Sequence, residues 1–67
     1  MSQQLSRREL EILKLMAEGK DTKAIAVTLG MTVNTECVHR SHIMKKLGIH
    51  EASRLVHYAV WNGLLLP

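Results

Sequence analysis

Apolar residues recur every three or four positions along most of the chain, which is the spacing of amphipathic helices. Glycines at positions 19, 30, 48 and 63 each follow such a stretch, where a left-handed residue commonly ends a helix. The alternation of apolar and polar residues that marks a strand never continues beyond a few positions. The pattern predicts an all-α, four-helix bundle-like domain, with helices over about residues 6–18, 22–29, 32–47 and 51–62.

Residue choices at the predicted helix starts support these positions. Ser6 followed by Glu9 has the spacing of a capping box, in which both side chains bond backbone N–H groups of the first turn. Leu5, immediately before this cap, is placed to pack against the start of the helix. Asp21 or Thr22 is expected to cap the second helix. The predicted core residues of these two helices are Ile12, Leu13, Met16, Ala17, Ile25, Ala26 and Leu29.

The second and third predicted helices are joined by a very short turn, Gly30-Met31-Thr32. Because this turn is too short for the helices to lie antiparallel side by side, they are expected to cross steeply. A short helix, a tight glycine-containing turn and a longer helix form the helix-turn-helix arrangement, whose second helix enters the major groove of DNA.

The third predicted helix has two different faces when its residues are placed at intervals of about 100°. The outward face is small and weakly polar and includes Val38, which suits close approach to a groove floor and contact with a thymine methyl group. An ordinary surface helix with one exposed valine is the alternative interpretation. The inward face holds Thr32, Glu36, His39, Ile43 and Leu47, the outward face holds Asn34, Cys37, Val38, Ser41 and Lys45, and the flanks hold Thr35, Arg40, His42 and Lys46.

The distribution of charge agrees with a polyanionic partner. The 67 residues carry nine Lys/Arg and six Asp/Glu, and the resulting net charge of +3 lies entirely within residues 20–48. A basic centre between neutral flanks suits nucleic acid, although a merely solvated surface gives the same pattern.

Length and composition exclude several other classes. At 67 residues the chain holds one domain at most. Its one cysteine cannot form an internal disulfide, and it has no catalytic triad or glycine-rich phosphate loop. His39 and His42 have an i, i+3 spacing but face about 60° apart, and His50 and His57 have no ligand spacing, so a metal site is not expected. No apolar stretch approaches the ~20 residues that span a bilayer, and no signal segment is recognisable. We therefore expect a non-enzymatic cytoplasmic binding domain without cofactor, metal or membrane contact.

Four segments along the chain together form a familiar pattern. They are Leu5-Ser6-x-Arg8-Glu9-x-Glu11-Ile12-Leu13, then Ile25-Ala26-x-x-Leu29 with Thr32-Val33-x-Thr35, then His39-Arg40-x-x-Ile43-Met44-x-Lys46-Leu47-Gly48, and Leu55-Val56-x-Tyr58-Ala59-Val60-x-x-Gly63-Leu64. In this order they resemble the LuxR-type helix-turn-helix, in particular the DNA-binding domain of NarL/FixJ response regulators. Region 4 of sigma factors has a similar first helix and helix-turn-helix, but the last two segments fit the LuxR type better.

The resemblance implies a bacterial transcription regulator whose third helix enters the major groove of double-stranded DNA. It also implies that the fourth helix forms a homodimer on DNA. The face of that helix with both aromatic residues is the expected interface, unless Trp61 folds back onto the first helix or the apolar tail at residues 64–66. The candidate DNA-binding residues are Lys23, Thr35, Val38, Arg40, Ser41, His42, Lys45 and Lys46, of which Lys23, Arg40 and Lys46 are expected to contact phosphates. The candidate dimer residues are Arg54, His57, Tyr58 and Trp61. The predicted core face of the fourth helix is Ala52, Val56, Ala59, Val60 and Gly63.

Three residues of the third helix depart from the family pattern. Glu36 stands where valine or isoleucine is usual, Asn34 where lysine or arginine is common, and Cys37 where lysine or glutamate is common. These changes remove a cation and add an anion near the DNA, which predicts weaker binding than is usual for the family. Because an unpaired buried carboxylate is costly, the expected outcomes for Glu36 are a pair with Arg40, His39 or Lys23, a shift towards solvent, or a displaced helix.

Three further alternatives stay open at this point. The chain is either a DNA-binding domain or a protein-interaction module of the same fold, with weakened DNA binding, that pairs with a related regulator. Met1 is either the start of a stand-alone regulator or the chain is the output half of a longer protein with an upstream receiver domain. Cys37 is either a redox-sensitive residue or a small residue that faces the groove.

Overall fold

The computed structural model describes residues 5–63, which form four helices and no strand. The helices are α1 (Arg7–Ala17), α2 (Thr22–Leu29), α3 (Val33–Leu47) and α4 (Ala52–Gly63). The prediction of an all-α, four-helix domain is confirmed, and each helix begins and ends within one residue of its predicted limit. No helix of the described part is long and apolar enough to cross a membrane.

The helix starts follow the predicted capping chemistry. The Glu9 N–H donates to Ser6 Oγ at 3.2 Å, and the Ser6 N–H donates to Glu9 Oε1 at 2.7 Å, so the capping box is complete. Asp21, rather than Thr22, caps α2 by accepting a 2.8 Å bond from the Ala24 N–H. These bonds occupy N–H groups that have no partner within their own helix.

Glycine fixes the tight turn between α2 and α3. Gly30 has φ +70°, in the left-handed region that residues with a side chain rarely adopt. This geometry lets the Met31 N–H reach back to the Ala26 carbonyl at 2.9 Å and end α2 at once. Thr32 then caps α3 by accepting a 3.1 Å bond from the Thr35 N–H. The helix-turn-helix connection is therefore three residues long, as predicted.

All four helices contribute to one hydrophobic core. α1 packs most extensively against α4 and also contacts α2 and α3, while α2 packs mainly on α3. The predicted core residues of α1 and α2 are buried or half-buried. The buried cluster consists of Ile12, Leu13, Met16, Ile25, Ile43, Leu55 and Ala59.

The predicted core face of α4 is wrong in part. Leu55 and Ala59 are fully buried, whereas Val56 and Val60 are 41% and 51% exposed, and Ala52 is exposed. Burying Leu55 removes more apolar surface from water than burying a valine, which favours this rotation of the helix. As a consequence Tyr58, predicted to lie on the outer face, is half-buried and packs against the core. The apolar tail at residues 64–66 lies outside the described residues.

Candidate nucleic-acid interface

The outer face of α3 is exposed along its whole length, and the helix is continuous through Glu36. Val38, an apolar residue, is 48% exposed on this face. Small side chains predominate, so the helix backbone can approach a flat or concave surface closely. The exposed outer face, as predicted, consists of Asn34, Cys37, Val38, Ser41 and Lys45.

Three candidate DNA-binding residues beside this face are also exposed. Thr35 lies in the first turn of α3, where its hydroxyl accepts a 2.9 Å hydrogen bond from the hydroxyl of Thr32. Lys23 is exposed on α2. His42 lines an open depression of about 580 Å³ at the C-terminal end of α3, together with Lys45, Lys46, Leu47 and Gly48.

Lys46 is turned towards α1 rather than towards the outer face. Its Nζ donates to Glu9 Oε1 at 2.8 Å, across 37 positions of sequence, and so ties α3 to α1. Burial raises the pKa of the Glu9 carboxyl, but hydrogen bonds from Lys46 and Ser6 outweigh burial and hold this pKa below its usual value. Sequence reasoning placed Lys46 on the DNA-facing flank and missed this pair, because the two residues are distant in sequence.

Arg40 is held by Glu36 one helical turn earlier. Arg40 Nη2 and Nε both donate to the same carboxylate oxygen, Oε2, at 2.9 and 3.3 Å. Glu36 is fully buried, and its other oxygen, Oε1, has no hydrogen-bond partner in the described part of the chain. Of the outcomes predicted for Glu36, pairing with Arg40 is therefore correct and a shift towards solvent is wrong. Arg40 itself is only partly exposed.

A second exposed surface lies on α4. Trp61 is 77% exposed, so it does not fold back onto α1, and Arg54 and His57 are also exposed. Arg54 is paired with Glu51 at 3.4 Å. We define the α4 patch as Val56, His57, Val60 and Trp61. The two valines were missed because sequence analysis assigned them to the core.

The described side chains do not form a metal centre. His39 is half-buried and His42 is exposed, and residues 5–63 contain no group of three or more His, Cys, Asp or Glu side chains arranged to hold a metal ion. Cys37 is a free, exposed thiol on the outer face of α3.

Comparison with known protein families identifies this arrangement. The family described as "Bacterial regulatory proteins, luxR family" matches residues 3–59. The chain belongs to the luxR family. The expected LuxR-type resemblance is thereby confirmed, and the domain belongs to a family of DNA-binding transcription regulators rather than to an enzyme family. The exposed α3 is thus the second helix of a luxR-family helix-turn-helix.

Several curated luxR-family proteins are similar to the chain. "Oxygen regulatory protein NreC" from Staphylococcus aureus strains JH9, JH1 and Mu3 is 49% identical over 61 residues in each case. The alignment covers 91% of this chain but 28% of each relative, so the chain spans less than a third of their length. No solved structure matches the chain.

Proposed function

We propose that the chain binds double-stranded DNA in a sequence-specific manner, with α3 in the major groove. The observation that carries this proposal is the exposed, small and weakly polar outer face of α3 in a luxR-family domain. Val38 suits a thymine methyl group, Ser41 can donate to or accept from a base edge, and Lys45 suits guanine. The solvent-exposed face of an ordinary surface helix is usually charged or strongly polar, unlike this one.

Phosphate contacts come from basic and hydroxyl side chains beside this face in the proposed complex. Lys23 is exposed on α2, the helix that crosses the DNA backbone in helix-turn-helix complexes. Thr35 and His42 are exposed on the flanks of α3 and can bond phosphate oxygens. Lys46 is proposed to act mainly by fixing α3 against α1 through Glu9.

Lys45→Ala tests the proposed function directly. Genomic fragments are incubated with the wild-type protein, bound fragments are enriched, and the affinity of each variant for an enriched site is measured by gel shift. We expect Lys45→Ala to weaken binding roughly 5- to 150-fold, because one base-edge contact is worth about 1–3 kcal/mol. Arg7→Ala, which removes an exposed cation from α1, is the matched control and should leave affinity almost unchanged.

The rival function gives a different result in the same experiment. If the chain is a protein-interaction module that pairs with a related regulator, no fragment is enriched at any salt concentration. The observation that favours the rival is the neutralisation of two cations, Arg40 and Lys46, by buried carboxylates. Enriched sites whose affinity falls with Lys45→Ala would reject it.

We further propose that two copies bind DNA as a symmetric dimer through the α4 patch. Exposed tryptophan and valine side chains on one helix face suit an interface, since tryptophan is enriched at interface hot spots. A two-fold dimer would present two α3 helices to half-sites about one duplex turn apart. In a longer regulator, an upstream receiver domain would control access to this arrangement.

Trp61→Ala is expected to abolish cooperative binding to a site with two half-sites. Losing a hot-spot tryptophan costs about 2 kcal/mol or more, which corresponds to roughly a 30-fold loss of affinity for the double site. Binding to a single half-site should be unchanged. Val27→Ala, at an apolar α2 residue that is also highly exposed, is the control. Equal losses on single and double sites after Trp61→Ala would contradict the dimer.

A further inference from the structure

The Glu36–Arg40 pair contributes little to joining the helices together. Both residues lie on α3, one turn apart, so their ion pair links no two elements of the fold. The Glu9–Lys46 pair, by contrast, joins α1 to α3. Glu9 joins two helices through its ion pair, whereas Glu36 does not, so helix joining does not explain why a glutamate occupies position 36.

Burying Glu36 is also unfavourable for folding. Its side chain is fully buried, and within residues 5–63 only Oε2 has a hydrogen-bond partner. A buried ion pair with an unsatisfied oxygen is commonly no better for stability than apolar residues of similar volume. The position lies on the inward face of α3, in line with Ile43, where an apolar side chain would pack without this cost. Stability therefore does not explain a carboxylate at this position.

An effect of Glu36 other than stability is visible in the geometry of Arg40. Two of its donor groups, Nη2 and Nε, are committed to Glu36 Oε2, and only 18% of its side chain remains exposed. Arg40 lies about 100° around the helix from Ser41, so a guanidinium released from Glu36 is long enough to extend from this flank towards the backbone of a duplex docked on the outer face. A carboxylate at 2.9 Å opposes the attraction of that guanidinium for a phosphate.

We propose that Glu36 is a specificity-determining positioning residue, which acts by withholding Arg40 from the DNA phosphates. Phosphate contacts strengthen binding to every sequence alike, whereas base contacts discriminate between sequences. With Arg40 neutralised, a larger share of the binding free energy comes from the base contacts of α3. This inference rests on the proposed DNA binding and replaces the expectation that Arg40 contacts phosphate.

The test is the salt dependence of binding to a random-sequence duplex, measured by fluorescence anisotropy. Each phosphate that a protein neutralises contributes about −0.9 to the slope of log K against log salt. Glu36→Val releases Arg40, so we expect its slope to be steeper than that of the wild type by about 0.9. The ratio of the binding constant of Glu36→Val to that of the wild type then falls about twofold for each doubling of the salt concentration. A protein whose glutamate had only a structural role would keep the wild-type slope.

Two further variants identify the source of any change. The double variant Glu36→Val/Arg40→Gln has no buried carboxylate and no arginine, and we expect its slope to return to the wild-type value. Glu11→Gln also removes one anion and frees an arginine, Arg8, but on α1, where the pair is exposed. We expect the slope of this charge-matched control to equal that of the wild type.

The possible results separate the two proposals. Equal slopes for the wild type and Glu36→Val, or a shallower slope for the variant, would overturn the withholding of Arg40 while leaving DNA binding intact. A steeper slope that persists in the double variant would also overturn it, because another cation would then be responsible. Absence of salt-dependent binding by the wild type would overturn the proposed function itself, and the inference with it.

Discussion

Leu55→Ala is expected to leave a large fraction of the protein unfolded at 37 °C. Leu55 is fully buried in the core, on the helix that packs against α1, and deleting a buried leucine side chain costs about 2–5 kcal/mol. A domain of this size commonly has only about 3–5 kcal/mol of stability in total. Urea denaturation followed by circular dichroism at 222 nm, with the wild type measured in parallel, gives the change in free energy of unfolding.

Val56→Ala is the matched control for this experiment. Val56 is the next residue of α4 but is 41% exposed, so its truncation should cost less than about 1 kcal/mol. The comparison tests the rotation of α4 itself. If Val56→Ala destabilised the protein more than Leu55→Ala, α4 would face the core as the sequence pattern predicted, and the description of the α4 patch would be wrong.

The sequence was sufficient to predict α1, α2 and α3 because their limits depend on local chemistry. Ser6 with Glu9, Asp21 and Thr32 cap helices through bonds to residues three positions away, and Gly30 adopts the left-handed geometry that ends α2. Such signals lie within one turn of the boundary that they define. They need no knowledge of the remainder of the fold.

The rotation of α4 could not be predicted in the same way. Apolar residues occur there in adjacent pairs, Leu55 with Val56 and Ala59 with Val60, so two faces about 100° apart are both apolar. Only packing against α1 decides which face is buried, and that contact joins distant parts of the chain. The Glu9–Lys46 pair could not be predicted for the same reason, because its two residues are distant in sequence.

At the candidate site, sequence analysis identified the outer face of α3 but not the state of its flanking cations. The angular position of Glu36 predicted an inward side chain, and Arg40 was among its predicted partners. The depth of burial and the single engaged oxygen depend on how closely the core surrounds the first turn of α3. Helical periodicity gives the direction of a side chain and not the density of its surroundings.

Arg40→Gln is expected to destabilise the protein by about 3–5 kcal/mol, as much as the loss of a large core side chain. Removing one member of a buried ion pair leaves the other as an uncompensated charge in a region of low dielectric. Glu36 is fully buried, and among residues 5–63 only Arg40 donates hydrogen bonds to its carboxylate. Urea denaturation measures the loss, and Arg8→Gln, at an exposed pair on α1, should cost less than about 1 kcal/mol.

The decisive comparison is the double-mutant cycle between Glu36 and Arg40. Glu36→Val should be neutral or stabilise the protein by up to about 4 kcal/mol, because an apolar side chain needs no partner in the core. The loss of stability caused by Arg40→Gln arises from the unpaired buried carboxylate, so adding Glu36→Val should remove this loss. The double variant should then have nearly the same free energy of unfolding as Glu36→Val alone. If Arg40→Gln were equally costly in both backgrounds, the arginine would stabilise the protein through its own packing. The carboxylate would then carry no cost for the arginine to offset.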